Sequence, residues 1–164
     1  MGYVIECLVE AYILTGARGK LTTARPNPDV DHKDFLVDER GGYKSLYIQV
    51  KGSPNLQRYG ILKISVDFRA GTEMADPRLL YVFCLFDIET LTLTRVWLVP
   101  SSSFHRLAPA TRLKNGRIRY SFQAGKTGKW SKFEIPPTQL GAYVLRRVRR
   151  LHRLSTRRAK LLAA

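Results

Sequence analysis

The sequence predicts one mixed α/β domain: a mixed β-sheet preceded by an N-terminal helix and followed by a basic C-terminal helix. Three observations carry this reading. Residues 3–14 are apolar nearly all round over a helical length. Short apolar or alternating runs bounded by turn residues then succeed one another to about position 135. Pro136-Pro137 finally opens a second long helical pattern, which runs to about Leu154. A chain of 164 residues, 45% hydrophobic, is long enough for a core of its own. The boundaries expected are 1–135 for the domain and 136–164 for the basic helix and tail.

Taken in order, Tyr3–Leu14 is interrupted only by Glu6 and Glu10, one turn apart on one face, and Gly16 is a helix stop. Lys20–Arg25 is a short strand. The Pro- and Asn-containing loop after it leads to Asp29, Asp31 and His32, read as loop residues. Asp34 opens the apolar run Phe35-Leu36-Val37, and Arg40-Gly41-Gly42 turns the chain. Leu46–Lys51 then places Gln49 and Lys51 at alternate positions, on one face of a strand. Gly52–Asn55 reads as a turn. Ile61–Phe68 alternates, with Leu62, Ile64, Val66 and Phe68 on the buried side, and Leu79–Phe86 is apolar throughout, as a central strand is. Thr92–Val99 is the next strand, and Ser101–Phe104 offers one helical turn. Arg117–Phe122 alternates, with Arg117 and Arg119 facing away from the apolar side, and Trp130–Ile135 is expected to pair with it across the Gly125–Gly128 loop.

Charge divides the chain. The net charge is +15, yet residues 1–89 hold twelve acidic and eleven basic residues, whereas 90–164 hold seventeen basic residues and only Glu134. Such an excess calls for a polyanionic partner, with nucleic acid the natural one. The expected contacts are Arg117, Arg119, Lys126, Lys129 and Lys132 on the strand-and-loop segment, and Arg146, Arg147, Arg149, Arg150, Arg153, Arg157 and Arg158 on the C-terminal helix. The interleaved Tyr120, Phe122, Trp130 and Phe133 are read as core. Cys7 and Cys84 lie inside apolar runs and are read as buried, reduced thiols of a cytoplasmic protein. No run reaches the length of a membrane span, and no signal peptide is expected.

The chemistry concentrates in Asp34–Lys51. A hairpin return brings a carboxylate beside an amide oxygen and a lysine. Such a set can hold a magnesium ion and activate water against a phosphodiester. The order of a helix glutamate, a strand-leading aspartate and a strand bearing (D/E)-x-K resembles the PD-(D/E)XK nuclease superfamily, which includes restriction endonucleases, Holliday-junction resolvases and homing endonucleases. Asp34 matches the aspartate. Gln49-Val50-Lys51 matches the tripeptide as a QxK variant. Glu6, rather than Glu10, lies at the matching distance before the helix-ending glycine. Residues 53–78 hold no convincing helix, which departs from the simplest core of that superfamily and looks more like its homing-endonuclease members.

The resemblance implies a restriction-endonuclease-like core and cleavage of double-stranded or branched DNA. It also implies magnesium as cofactor, with manganese as a substitute, and a homodimer or higher homo-oligomer. Asp34, Gln49 and the Val50 carbonyl are then the metal ligands, and Glu6, Asp34, Gln49 and Lys51 the catalytic set. Two alternatives stay open: a non-catalytic nucleic-acid-binding protein on the same fold, and an Arg-rich RNA-binding protein in which the QxK triplet is accidental.

Overall fold

A computed structural model describes residues 2–26, 33–42, 45–72 and 75–162, with side chains described as far as Arg153. Helix α1 spans Gly2–Gly16. Strands β1 (Leu21–Ala24), β2 (Phe35–Glu39), β3 (Leu46–Ser53), β4 (Leu62–Arg69), β5 (Leu79–Asp87) and β6 (Thr92–Pro100) follow. Helix α2 (Ser101–Leu107), strands β7 (Ala110–Arg112), β8 (Arg117–Ala124) and β9 (Glu134–Ile135), and helix α3 (Leu140–Leu162) complete the chain. The mixed α/β architecture with a helix at each end is the one the sequence predicts.

The strands form two sheets. The larger has the order β1-β2-β3-β5-β6-β9, and the smaller β4-β8-β7. Among the described residues, only β3 and β5 pair in parallel. Their connection runs through β4 in the other sheet, so a strand, rather than a helix, makes the crossover. β5 sits inside the large sheet with Leu79–Cys84 all buried, which explains its unbroken apolar run.

Strand alternation sorts the apolar residues onto two cores. Ile48, Val50, Phe35, Val37, Val82 and Cys84 face α1 and α3, where Ile5, Val9, Ile13, Leu140, Val144 and Val148 cover them. Tyr81, Phe83, Trp97 and Val99 point the other way, onto Leu62, Val66 and Phe68 of β4, Phe122 of β8 and Phe104 of α2. Each fully buried Val, Ile or Phe contributes roughly 1.5–3 kcal/mol, so both layers hold the sheet. The two helices meet at glycines. A Cβ on Gly141 would lie 2.1 Å from the Ile13 carbonyl oxygen and 2.4 Å from the Ala17 nitrogen, so only glycine permits this crossing.

Several elements depart from the sequence reading. β3 continues through Gly52 and Ser53, because its parallel register with β5 extends to Ser53↔Leu85. Ser101–Leu107 makes a full short helix, and α3 runs beyond Leu154 to Leu162. Trp130–Ile135 does not pair with β8. Ser131–Phe133 forms a 3-10 turn, and only Glu134–Ile135 is strand, against β6. The cause is Arg95 on β6, which donates to both Glu134 carboxylate oxygens at 2.7 and 2.8 Å and to the Gly125 carbonyl at 2.8 Å. β8 pairs instead with β4 over its whole length and with β7. Trp130 and Phe122 are core residues, with ring centroids 4.8 Å apart. Both cysteines are free thiols, but Cys7 is only half-buried, whereas burial pushes the Cys84 thiol up to about 12.

Candidate functional site at the β2–β3 pair

β2 and β3 pair antiparallel with Phe35 opposite Ile48 and Leu36 opposite Tyr47. At the head of β2 the Asp34 N–H donates to the Ile48 carbonyl at 2.9 Å, beside Gln49 on the facing strand. Gln49 and Lys51 alternate with the buried Ile48 and Val50, so they project from the face that α1 and α3 do not cover.

The structure brings Asp34 and Gln49 into direct contact. Gln49 Nε2 donates to Asp34 Oδ1 and Oδ2, both at 3.0 Å, and the Val50 N–H donates to Oδ2 at 2.5 Å. Gln49 is 1% exposed, and its Oε1 is buried with no hydrogen-bond partner. Lys51, two residues on along β3, is half-buried.

The orphaned Oε1 tests whether this site suits a divalent cation. Half a turn of the amide exchanges Nε2 with Oε1 and sets an oxygen about 3 Å from the Asp34 carboxylate. That separation matches neighbouring ligands of an octahedral ion with bonds of about 2.0–2.1 Å. The donor set is thus compatible with magnesium through one carboxylate and one amide oxygen. Among the described residues, no three His, Cys, Asp or Glu side chains group as a metal site.

Glu6 lies on α1, which packs on the sheet face opposite to Gln49 and Lys51. There Arg25 bridges Glu6 and Glu10, with one guanidinium nitrogen 2.9 Å from each carboxylate. Glu10 also accepts from Thr23 Oγ1 at 2.6 Å. Arg25 ties the helix to β1, a partnership that the charged stripe on the helix did not announce. Asp29, Asp31 and His32 lie outside the described residues.

Several expected phosphate contacts are engaged within the protein. Arg119 holds Asp67 by two bonds of 2.7 Å across the β4–β8 pair, and Arg117 donates to the Asp67 carbonyl at 3.2 Å. Lys129 donates to the Leu107 carbonyl at 2.7 Å. Arg149 binds the Glu39 carboxylate on β2, with its Nε at 2.9 Å. The Arg119 hydrogen bonds hold Asp67 below the ordinary carboxylate range, and those of Arg149 do the same for Glu39. Lys126, Lys132, Arg146, Arg147, Arg150 and Arg153 are exposed. Arg147 and Arg150 line a cleft of about 230 Å³ with Leu46, Leu80 and Ser102. The side chains of Arg157 and Arg158 lie outside the described residues.

Sequence reasoning missed two cations beside the candidate site. Lys33 and Arg78 lie over the Tyr47 ring, 4.3 and 5.3 Å from its centroid. Tyr47 shares the face of Gln49, so both flank the Asp34 edge. Lys33 could be suspected from adjacency to Asp34, but Arg78 arrives only through the β3–β5 pairing.

Neither a protein-family model nor a curated protein matches the chain. Among solved structures, it is similar to a bacterial homing endonuclease, I-Ssp6803I, with a TM-score of 0.57 and 14% identity over 92% of this chain and 94% of that one. At that identity the likeness concerns the fold: a mixed sheet with a helix at each end. No described helix is long and apolar enough to cross a membrane.

Proposed function

We propose that the chain is a metal-dependent DNA endonuclease whose site is Asp34, Gln49, Val50 and Lys51. The observation that carries the reading is the Asp34–Gln49 contact at 3.0 Å, with Lys51 on the same face. The fold it shares with a homing endonuclease supports it. Asp34, Gln49 and the Val50 carbonyl would hold magnesium, with manganese as a substitute. The ion would supply charge neutralisation at the phosphate and a more acidic water. The Lys51 ammonium would stabilise the charge that builds on the phosphate oxygens, where a fixed cation in a partly dry site acts most strongly. Lys33 and Arg78 would seat the neighbouring phosphates. Glu6 completes the proposed catalytic set, and its carboxylate is paired with Arg25 at 2.9 Å. The exposed arginines of α3 and Lys126 and Lys132 would supply non-specific attraction to duplex or branched DNA. A homodimer would let two sites cut two strands.

One observation favours a second reading. Asp34 already receives the Gln49 amide and the Val50 N–H, so the same contact serves equally well as a structural lock in a non-catalytic DNA-binding protein. A cleavage panel of linear, branched and single-stranded DNA, with and without magnesium, separates the two. Lys51→Ala and Asp34→Ala are each expected to abolish metal-dependent cleavage with DNA binding largely kept. Normal cleavage by Lys51→Ala would remove the assignment.

A further inference from the structure

The turn between β3 and β4 carries a residue that folding does not explain. Tyr59 is 95% exposed, so its ring packs on nothing. Its backbone is left-handed, with φ 64° and ψ 21°. That conformation is disfavoured for a bulky side chain and easily adopted by Gly or Asn. The turn is nevertheless closed: the Gln57 N–H donates to the Ile61 carbonyl at 2.8 Å, and the Gly60 N–H to the Gln57 carbonyl at 3.2 Å. A fixed turn thus holds an aromatic ring out into solvent.

The surroundings indicate what the ring meets. Leu62 pairs with Ala124, so the turn lies beside the loop that begins at Gly125 and carries the exposed Lys126. Arg58 immediately precedes the tyrosine, and Lys63 is exposed on β4. Residues 52–66 and 114–133 contain no acidic residue. Asp87 and Glu89 line a cleft with Pro54 and Asn55 at the start of the turn, whereas the exposed charges of Arg58, Lys63 and Lys126 toward its end are all cations; a protruding aromatic ring beside them is complementary to a ligand with phosphate charge and flat apolar faces. The turn also leaves directly from the strand that bears Lys51.

From this geometry we infer that Tyr59 is a base-stacking wedge, which packs its ring on an unstacked nucleobase of DNA held by the basic rim. The inference rests on the DNA-binding reading and goes beyond it. Phosphate contacts are indifferent to base stacking, whereas a wedge favours single-stranded or distorted DNA.

The test uses the full chain and a short oligonucleotide containing 2-aminopurine, offered single-stranded and as a duplex. Tyr59→Asn suits the left-handed turn, so its melting temperature is expected to equal or exceed that of the wild type. It is expected to bind the single strand roughly 5- to 150-fold more weakly, the range of a lost base–aromatic stack, with an unchanged log–log salt slope. The 2-aminopurine fluorescence change is expected to vanish in Tyr59→Asn and persist in Tyr59→Phe. Wild-type affinity and fluorescence in Tyr59→Asn would overturn the wedge while leaving DNA binding intact. Absence of binding by the wild type to either form would overturn the DNA reading and the wedge together. A change confined to sedimentation, with DNA binding unaltered, would reassign the ring to contact with a second copy of the chain and overturn the inference.

Discussion

At Gln49 a single amide decides what the site can do. Its nitrogen faces Asp34, and its buried oxygen is left without a partner. Gln49→Glu would set a second carboxylate against Asp34 where the amide nitrogen now stands at 3.0 Å. Two carboxylates that close cannot both ionise without a cation, so one is driven to hold its proton. The variant is expected to melt below the wild type in EDTA and to recover with magnesium, the metal-induced rise exceeding that of the wild type. Thermal melts with and without magnesium check this, and an equal rise in both proteins would show that Gln49 does not face the ion. The Asp34–Gln49–Lys51 face was legible because strand parity is fixed at two residues. The ion pair of Glu6 was not. A helix that is apolar nearly all round does not declare which way its charged stripe turns, and Arg25, nineteen residues on, decides it.

Between elements, shape and charge act separately. The α1–α3 crossing depends on Gly141, where any Cβ would overlap the Ile13 carbonyl oxygen, a backbone atom that cannot swing aside. Overpacking of this kind costs roughly 1–3 kcal/mol, occasionally more. Gly141→Ala is expected at or above the top of that range, measured by urea unfolding. Across β4–β8 the link is electrostatic. Arg119 holds the folded-state pKa of Asp67 below its ordinary value, so the pair stabilises the protein above the unfolded-state carboxylate pKa of about 4 and loses its contribution as pH falls below it. Glu39 follows the same sign through Arg149. Arg119→Gln should therefore narrow the stability gap between pH 6 and pH 3, read from urea titrations at each pH. Neither ion pair was visible in the sequence, because Asp67 and Arg119 are fifty-two positions apart and meet only through the β4–β8 register. The misplaced pairing of Trp130–Ile135 has the same origin. Alternation shows that a segment has two faces, not which neighbour it chooses, and here Arg95 makes the choice.

Along the chain the excess of positive charge follows the residues of the proposed chemistry. The first eighty-nine residues are near neutral and hold Asp34, Gln49 and Lys51, while the remainder carries the excess. α3 spans both roles: Val144 and Val148 are core residues, and Arg146, Arg150 and Arg153 are exposed. A cut at position 146 would therefore remove Val148 from the core together with the charge. Deletion of 154–164 is the cleaner test, since it removes Arg157, Arg158 and Lys160 and leaves the core turns. If all three touch phosphate, the log–log salt slope should become shallower by about 2.7, at roughly 0.9 per contact on duplex DNA. A salt titration of DNA affinity checks this, with circular dichroism confirming an intact fold. The two-helix, mixed-sheet plan was readable from periodicity, and the charge division from counting. The second sheet was not, because nothing in an amphipathic strand states which layer it joins.

The crossover through β4 also orders events in time. Asp34 and Gln49 are only fifteen residues apart, within one hairpin, whereas Gln49 and Tyr81 pair across thirty-two residues with a strand of another sheet in between. Closing the shorter loop costs less entropy, and hairpins form within microseconds, while distant parallel pairing is slow. During folding the Asp34–Gln49 contact is thus expected to form before β5 docks on β3. On this ordering, the docking of β5 against β3, rather than the meeting of Asp34 with Gln49, completes the proposed site.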